Sequence, residues 1–308
     1  MKKILTILIL LTSLFCVSQT KVNRTTNKPA NNNLNSNKRK YSSATTASIP
    51  LDTLNHNTCL KKQFSIVFYV VLDSGATATP SSSGVGLATP ANLSFLVSQI
   101  NLAFKPICVS FVNCTTIFIP NHMYGKSWLK NPTESFVTAG YYTDKTINFY
   151  LVDSLYSGAG NTEYEGYSYM PVPSNLPPAK KDLLVLDKYK ILQGNGAVSI
   201  HLLGHFFGLP HTFDEINPSP AAIPPPPLGV TSQEFADGSN CYLHGDGFCD
   251  TEADTGDLLM ATTQDGMGTF YLFPVDNFMS YYAQRSRFTQ EQYNWMAYTI
   301  MTKRLYLN

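Results

Sequence analysis

A run of β-branched and aromatic residues at positions 64–72 (FSIVFYVVL) shows no alternation between apolar and polar side chains. A strand with one face in water alternates, whereas a strand covered on both faces does not. The run therefore predicts a central strand. Shorter runs at 107–111, 147–152, 167–170 and 183–186 predict four further strands.

Apolar residues recur at helical spacing between the first two predicted strands. Thr89 is suited to the N-cap of this helix and Pro90 to its first position. The residues that share one face, and that we expect in the core, are Leu93, Leu96, Val97, Ile100 and Phe104.

A second helix is predicted around His201 and His205. Asn195 is placed to open it, and Gly208 is placed to end it in a left-handed turn.

The last predicted helix follows Thr289 and Gln292, which form a capping box. Between these two helices, residues 212–239 are rich in proline and predict an extended surface insertion. The predicted order, β-α-β-β-β-β before the second helix, indicates an α+β domain with helices packed on a mixed twisted sheet.

The start of the chain predicts export. Lys2 and Lys3 precede an apolar run over residues 4–17, which indicates a signal peptide over 1–18 with cleavage ahead of Gln19. The run is shorter than the roughly 20 residues of a membrane-spanning helix, so we expect no stable membrane anchor. We therefore expect a secreted protein, extracellular or periplasmic.

Residues 19–57 contain mainly Asn, Ser, Thr and basic side chains and offer almost nothing to bury. They predict a disordered linker ahead of one folded domain over 58–308. With 44% hydrophobic and 14% charged residues, the composition is too apolar for a disordered chain and predicts a folded protein. Its formal charge of +1 gives no electrostatic basis for binding nucleic acid.

Three of the six histidines lie within eleven residues, in the sequence HLLGHFFGLPH. His201 and His205 are four apart, so a helix projects both imidazoles from one face, within reach of one ion at the usual Zn–N distance of about 2.0–2.1 Å. Gly208 lets the chain turn and bring His211 back as a third ligand. Three neutral imidazoles with an open position are typical of a catalytic zinc site, although a histidine pair on a helix is also found on surfaces and in cores.

These residues resemble the metzincin zinc endopeptidases, and within them the pappalysin-like secreted proteases. Their motif, His-Glu-x-x-His-x-x-Gly-x-x-His, matches residues 201–211 at every position but the second. The segment 276–281 (DNFMSY) is similar to the Met-turn of that family, and residues 245–251 (GDGFCDT) are similar to one of its loops. The resemblance implies a metzincin-like domain, with an active-site helix and a C-terminal helical subdomain that carries the Met-turn.

The resemblance also implies roles for single residues. His201, His205 and His211 would bind Zn²⁺, and Met279 would form the floor beneath it. Tyr281 corresponds to a tyrosine that donates a hydrogen bond to the oxyanion, although a buried structural tyrosine is an equal interpretation. The strand at 167–170 corresponds to an edge strand along which an extended peptide, as substrate or ligand, is bound by β-addition.

Position 202 departs from the family pattern. The family has a glutamate there, which takes a proton from the attacking water and passes it to the leaving amine. Leu202 has no atom that can hold a proton. Asp214 and Glu215 are the nearest carboxylates in sequence, but both follow the last ligand and should point away from the open site. We therefore expect a zinc-binding homologue with absent or strongly reduced activity. A non-catalytic peptide-binding module, an active peptidase with another base, and a structural protein without metal are the alternatives.

The cysteines are consistent with an oxidising compartment. Loss of Cys16 with the signal peptide leaves an odd number, so one thiol should be unpaired. Cys108 could pair with Cys114 across a bend, and Cys59 with either of them is equally plausible. Pappalysin-like proteins usually tie the loop at 241–249 to cysteines that this chain lacks, so the resemblance implies a Cys241–Cys249 pair.

Five acidic residues lie within twelve positions in the loop after Gly245. They offer hard oxygen ligands for Ca²⁺, as in some members of the family, although the spacing is not that of an EF-hand and acidic loops are mostly solvated. The residues are Asp246, Asp250, Glu252, Asp254 and Asp257.

Overall fold

The computed structural model describes the following residues, all within the unit Asp52–Asn308: 59–73, 84–126, 128–129, 132–156, 163–171, 181–214, 234–242, 244–256 and 263–307. The predicted signal peptide and linker, and the proline run at 224–227, lie outside the described residues. The domain limits drawn from the sequence stay a prediction.

Eight strands lie within the described residues and form two sheets. In chain order they are β1 (Lys62–Val71), β2 (Val109–Ile119), β3 (Trp128–Leu129), β4 (Ile147–Val152), β5 (Leu155–Tyr156), β6 (Glu163–Tyr164), β7 (Gly166–Ser168) and β8 (Leu183–Asp187).

The main sheet has the order β2-β1-β4-β8-β7, and the small sheet has the order β3-β5-β6. The first four strands of the main sheet are parallel, and β7 pairs with β8 in the antiparallel direction at the edge. Strand β1 has parallel neighbours on both sides and is buried from Phe64 to Val71, which confirms the predicted central strand.

The prediction for residues 107–111 was wrong at its start and too short. Lys105–Ile107 form a 3₁₀ turn, Cys108 has a left-handed backbone (φ 53°), and β2 then runs for eleven residues. Polar side chains in its second half, such as Asn113 and Thr116, are half-buried or exposed. They fit because β2 is an edge strand, but they look like a loop in the sequence.

Five α-helices are described: α1 (Pro90–Phe104), α2 (Met123–Lys126), α3 (Thr133–Gly140), α4 (Ala197–Phe206) and α5 (Gln290–Lys303). The Thr89 hydroxyl accepts from the amide of Asn92, and the five predicted core residues of α1 are buried. Thr289 and Gln292 form the predicted capping box of α5. None of the described helices has the length and apolar character needed to cross a bilayer.

Helix α4 begins later than the sequence suggests. Asn195 does not cap it, because Asn195 lies in a preceding 3₁₀ turn with a left-handed backbone (φ 57°). Gly196 occupies the N-cap at φ 83°, where a Cβ would lie only 2.7 Å from Cδ1 of Leu96. The close approach of α1 therefore fixes the start of α4. Gly208 has φ 93° after the helix, as predicted.

Arg304, the residue after α5, anchors helix α4 to the edge strand β7. The guanidinium of Arg304 is buried, donates to the carbonyls of Phe206 (3.2 Å) and Tyr169 (3.0 Å), and pairs with Asp182. It also lies over the ring of Phe206, 3.8 Å from the centroid. One side chain thus connects the end of α4 with the residue that follows β7.

Two disulfides join described residues. Cys59 pairs with Cys108, one of the two alternatives for Cys59, and Cys241 pairs with Cys249 as the resemblance implied. Cys114 is disulfide-bonded as well, and none of the described cysteines is free. The unpaired thiol expected after loss of the signal peptide stays a prediction.

Candidate metal centre

The three clustered histidines converge on one point. His201 and His205 lie one turn apart on α4, and the turn at Gly208 returns the chain so that His211 faces them. The Nε2 atom of His205 is 3.1 Å from that of His201 and 3.0 Å from that of His211. Among the described residues, this is the one group of three or more His, Cys, Asp or Glu side chains close enough to hold an ion.

In the first two histidines, the other ring nitrogen, Nδ1, forms a hydrogen bond with a backbone carbonyl. Nδ1 of His201 lies 2.7 Å from the carbonyl oxygen of Phe278, and Nδ1 of His205 lies 2.7 Å from that of Leu209. A carbonyl oxygen only accepts, so each Nδ1 must carry the proton and each Nε2 must present a lone pair.

The third histidine is oriented by a carboxylate. Asp214 accepts from the backbone amide of His211 (2.9 Å) and from its Nδ1 (3.0 Å). Burial alone would raise the pKa of Asp214, but these hydrogen bonds outweigh it and the pKa lies below its usual value. The carboxylate is therefore a stable acceptor that holds the ring of His211 with Nε2 toward the other two.

The surroundings keep the first two imidazoles neutral. Burial lowers the pKa of His201 well below its usual value, and the neighbouring His205 and His211 lower it further. Burial and His211 lower the pKa of His205 to about 4. Neutral imidazoles have the lone pair that a metal requires.

The donor set fits a zinc ion. The Nε2 lone pair of His205 lies 3.0–3.1 Å from those of His201 and His211. Lone pairs this close repel, and a cation between them relieves that repulsion. Imidazole nitrogens suit zinc, and a hydrogen bond from the opposite ring nitrogen is typical of histidines that bind metals.

Met279 packs against α4 at Gly204, the residue before His205. It is fully buried, and a Cβ built on Gly204 would be 2.3 Å from its sulfur. The backbone amide of Thr212 donates to the carbonyl of Met279 at 3.2 Å, which joins the chain after His211 to the turn that carries the methionine. The role of Met279 as a floor beneath the metal, which the resemblance implied, stays a prediction.

Tyr281 lies at the rim of the cluster and is half exposed. Its ring centroid is 4.7 Å from that of His211 and 5.9 Å from that of His201. Phe213 packs against Tyr281 from the other side and stacks on His211 at 4.8 Å. The phenol therefore stands beside the histidines in a partly open position, which does not fit a buried structural tyrosine.

Leu202 is buried between α4 and the edge strand. Its side chain is in close contact with Gly166, where a Cβ would lie 2.6 Å from Cδ1 of the leucine, and Ser168 donates to its carbonyl at 2.8 Å. The position beside the first histidine is therefore filled by methyl groups.

Of the two carboxylates considered as substitute bases, the one that lies in the described residues is not beside Leu202. Asp214 binds the outer nitrogen of His211, away from the face where the Nε2 atoms meet. Glu215 lies outside the described residues.

The acidic residues of the predicted calcium loop have separate surroundings. The carboxylate of Asp250 accepts from the amide of Glu291, Glu252 pairs with Arg287, and Asp254 accepts from the hydroxyls of Thr212 and Tyr282.

Asp246 is different because it is buried beside Glu234, whose carboxylate lies against Gly245. Its Oδ1 accepts from the amide of Phe248, and its Oδ2 has no hydrogen-bond partner among the described residues. Asp257 lies outside the described residues.

Nothing in the sequence indicated that two charged residues near the metal centre, Arg285 and Glu165, lie close together. Arg285 follows the Met-turn, and Glu165 immediately precedes β7. They are 120 positions apart, and only the fold brings Nη2 of Arg285 to 3.9 Å from Oε2 of Glu165.

Three imidazoles that converge on one point, two of them from a helix that packs against a mostly parallel sheet, define a metallopeptidase-like protein. The family model Peptidase M43, described as pregnancy-associated plasma protein-A, matches residues 131–301, more than half of the chain. The chain belongs to the Peptidase M43 (pappalysin) family, which confirms the resemblance seen in its sequence.

Two solved structures of mirolysin share the fold. One is mature mirolysin of Tannerella forsythia in complex with a cleaved peptide, and the other is mirolysin in complex with compound 9. Each is 14% identical to this chain, with a TM-score of 0.50, and each alignment covers 80% of this chain and 94% or 95% of mirolysin, respectively. The predicted metzincin-like fold is confirmed. A comparison with curated proteins found no match.

Proposed function

We propose that the chain is a secreted zinc-binding metallopeptidase homologue that holds an extended peptide and hydrolyses it slowly or not at all. The observation that carries the proposal is Leu202, buried beside an intact histidine triad. The disulfides and the family support an oxidising extracytoplasmic location.

His201, His205 and His211 would hold the zinc through their Nε2 atoms. When bound, zinc polarises a peptide carbonyl and lowers the pKa of water. The phenol of Tyr281 stands at the rim from which it would donate a hydrogen bond to the developing oxyanion. These groups supply electrostatic stabilisation but no proton transfer.

Proton transfer is the part that this chain lacks. A positioned general acid–base typically contributes about 10²–10⁴-fold to the rate, or roughly 3–5 kcal/mol at 1.36 kcal/mol per factor of ten. Leucine can neither accept a proton from water nor return one to the leaving amine. We therefore expect hydrolysis slower by about that factor than in a relative with the glutamate.

The edge strand offers a surface for the peptide. β7 is the last strand in the order of the main sheet and pairs with β8 on one side. An extended peptide would add to its other side through backbone hydrogen bonds. The contact between Gly166 and Leu202 places this strand against the active-site helix, so such a peptide would run past the histidines.

The experiment combines metal analysis with a hydrolysis assay. Mature protein should retain about one zinc per chain after dialysis, and His205→Ala should lose it. The unaltered protein should leave unfolded casein largely intact, whereas Leu202→Glu should cleave it in a chelator-sensitive manner. Robust chelator-sensitive cleavage by the unaltered protein would contradict the proposal and favour an active peptidase with another base.

The second candidate function is a pure binding module. It is favoured by the same leucine, because a site that cannot transfer protons can still bind a peptide. Peptide binding without any turnover, measured on one preparation, would select this candidate over a slow enzyme.

We also propose calcium at Asp246. A buried carboxylate oxygen without a hydrogen-bond partner, next to the carboxylate of Glu234, forms a site that suits a hard cation. Calcium should raise the melting temperature of the unaltered protein and should leave that of Asp246→Asn unchanged. Equal shifts in both proteins would place calcium elsewhere.

A further inference from the structure

Arg285 is a buried cation whose hydrogen-bonding capacity is incompletely used. Its side chain is 9% exposed, and its Nε atom is buried and has no hydrogen-bond partner among the described residues. Glu165 lies 3.9 Å away, which is beyond hydrogen-bonding distance. A guanidinium carries five donors, and burying it without partners is costly.

This guanidinium lies beside the residue that precedes the edge strand β7. Glu165 directly precedes Gly166, which contacts the side chain of Leu202. Arg285 lies four residues after Tyr281, whose ring is beside the histidines.

The local charge favours an anion. Lys190 approaches the same carboxylate from another side, with Nζ 3.7 Å from Oε1 of Glu165. Two cations thus flank one carboxylate, and neither contact is short enough for a hydrogen bond. This arrangement leaves one positive charge and several donors for a ligand.

We propose that Arg285 is a specificity residue that binds a carboxylate of the peptide held along β7. The carboxylate belongs either to an acidic side chain or to the C-terminus of the peptide. Arginine suits this task because its planar fork of donors matches both oxygens of a carboxylate. The inference rests on the proposed peptide-binding function and names its substrate class.

The test measures the binding of fluorescein-labelled peptides to the full zinc-loaded protein by anisotropy. The set places one Glu, or Gln as its neutral match, at each position in turn, and each peptide is made with a free or an amidated C-terminus. At one position, or at the free terminus, the unaltered protein should prefer the carboxylate by about tenfold. A preference for internal Glu identifies an acidic side chain, and a preference for the free terminus identifies a C-terminal carboxylate.

Variants assign the preference to Arg285. Arg285→Gln should abolish it while neutral peptides still bind, and Glu165→Gln should increase it because the competing carboxylate is removed. Arg287→Gln is the matched control, since Arg287 lies in the same segment but pairs with Asp276 and Glu252. Melting temperature and zinc content verify that each variant is folded.

The outcomes separate this inference from the function on which it rests. Peptide binding without a carboxylate preference, or a preference unchanged in Arg285→Gln, would overturn the role of Arg285 and leave the proposed function standing. Failure of every peptide to bind would overturn both.

Discussion

The sulfur of Met279 packs so closely on Gly204 that a single added methyl group would lie 2.3 Å from it. Gly204 precedes His205 on α4, and Met279 follows Phe278, whose carbonyl orients His201. The contact therefore joins the helix that carries two of the histidines to the turn that orients one of them.

We expect Gly204→Ala to lower the free energy of unfolding by about 1–3 kcal/mol, because the added carbon overpacks a filled space. Gly140→Ala is the matched control. A Cβ at Gly140, the last residue of α3, meets nothing within 4 Å, so the change should be neutral or slightly stabilising. Chemical denaturation measures both, and equal effects would show that the contact with Met279 is not tight.

Removing zinc should destabilise the protein, because a ligand that binds only the folded state adds to its stability. At free zinc about 1,000-fold above the dissociation constant, the contribution is about 4 kcal/mol. Scanning calorimetry with and without a chelator should show a lower melting temperature in the apo protein, and His205→Ala should show no such difference. A chelator effect of the same size in His205→Ala would place the metal elsewhere.

Position 202 allows a comparison at nearly constant size. Leu202→Glu should raise kcat for peptide hydrolysis by about 10²–10⁴-fold, since it introduces the missing base. Leu202→Gln introduces a polar side chain of similar shape that cannot take up a proton, and it should stay near the unaltered rate. If both variants gain equally, polarity at this position, and not proton transfer, is responsible.

The role of Tyr281 is best measured in the active background. Adding Tyr281→Phe to Leu202→Glu should lower kcat by about 10²–10³-fold with little change in KM, because the hydroxyl would act mainly on the transition state. Zinc content should stay the same. A change in KM alone would make Tyr281 a peptide-binding residue.

Arg304 should be important for stability. Replacement by Met removes the cation but leaves Asp182 buried, which typically costs about 3–5 kcal/mol. Lys303→Met, at the exposed end of the same helix, is the control and should change the free energy of unfolding by less than about 0.5 kcal/mol. Denaturation curves for the two variants should therefore separate clearly, and similar midpoints would mean that the buried ion pair adds nothing.

Local patterns predicted the elements that depend on neighbours in sequence. The capping box at Thr289, the core face of α1 and the left-handed turn at Gly208 all follow from spacing alone. The histidine cluster could be predicted from the sequence for the same reason, because helical periodicity and one turn bring its members together.

Other features depend on contacts that the sequence does not encode locally. The start of α4 is set by the approach of Leu96 to Gly196, so Asn195 is not the cap that its residue type suggests. The acidic residues of the loop form one cluster in the sequence. In the structure they have separate partners that are distant in sequence, such as Arg287 for Glu252 and Thr212 for Asp254.

Main-chain oxygens hold two of the three imidazoles, at Phe278 and Leu209. Substitution at either of these positions changes the side chain but leaves the acceptor in place. Mutation of Phe278 or Leu209 would therefore leave the tautomers of His201 and His205 unchanged. His211 differs, because its orientation depends on the side-chain carboxylate of Asp214, which a mutation can remove.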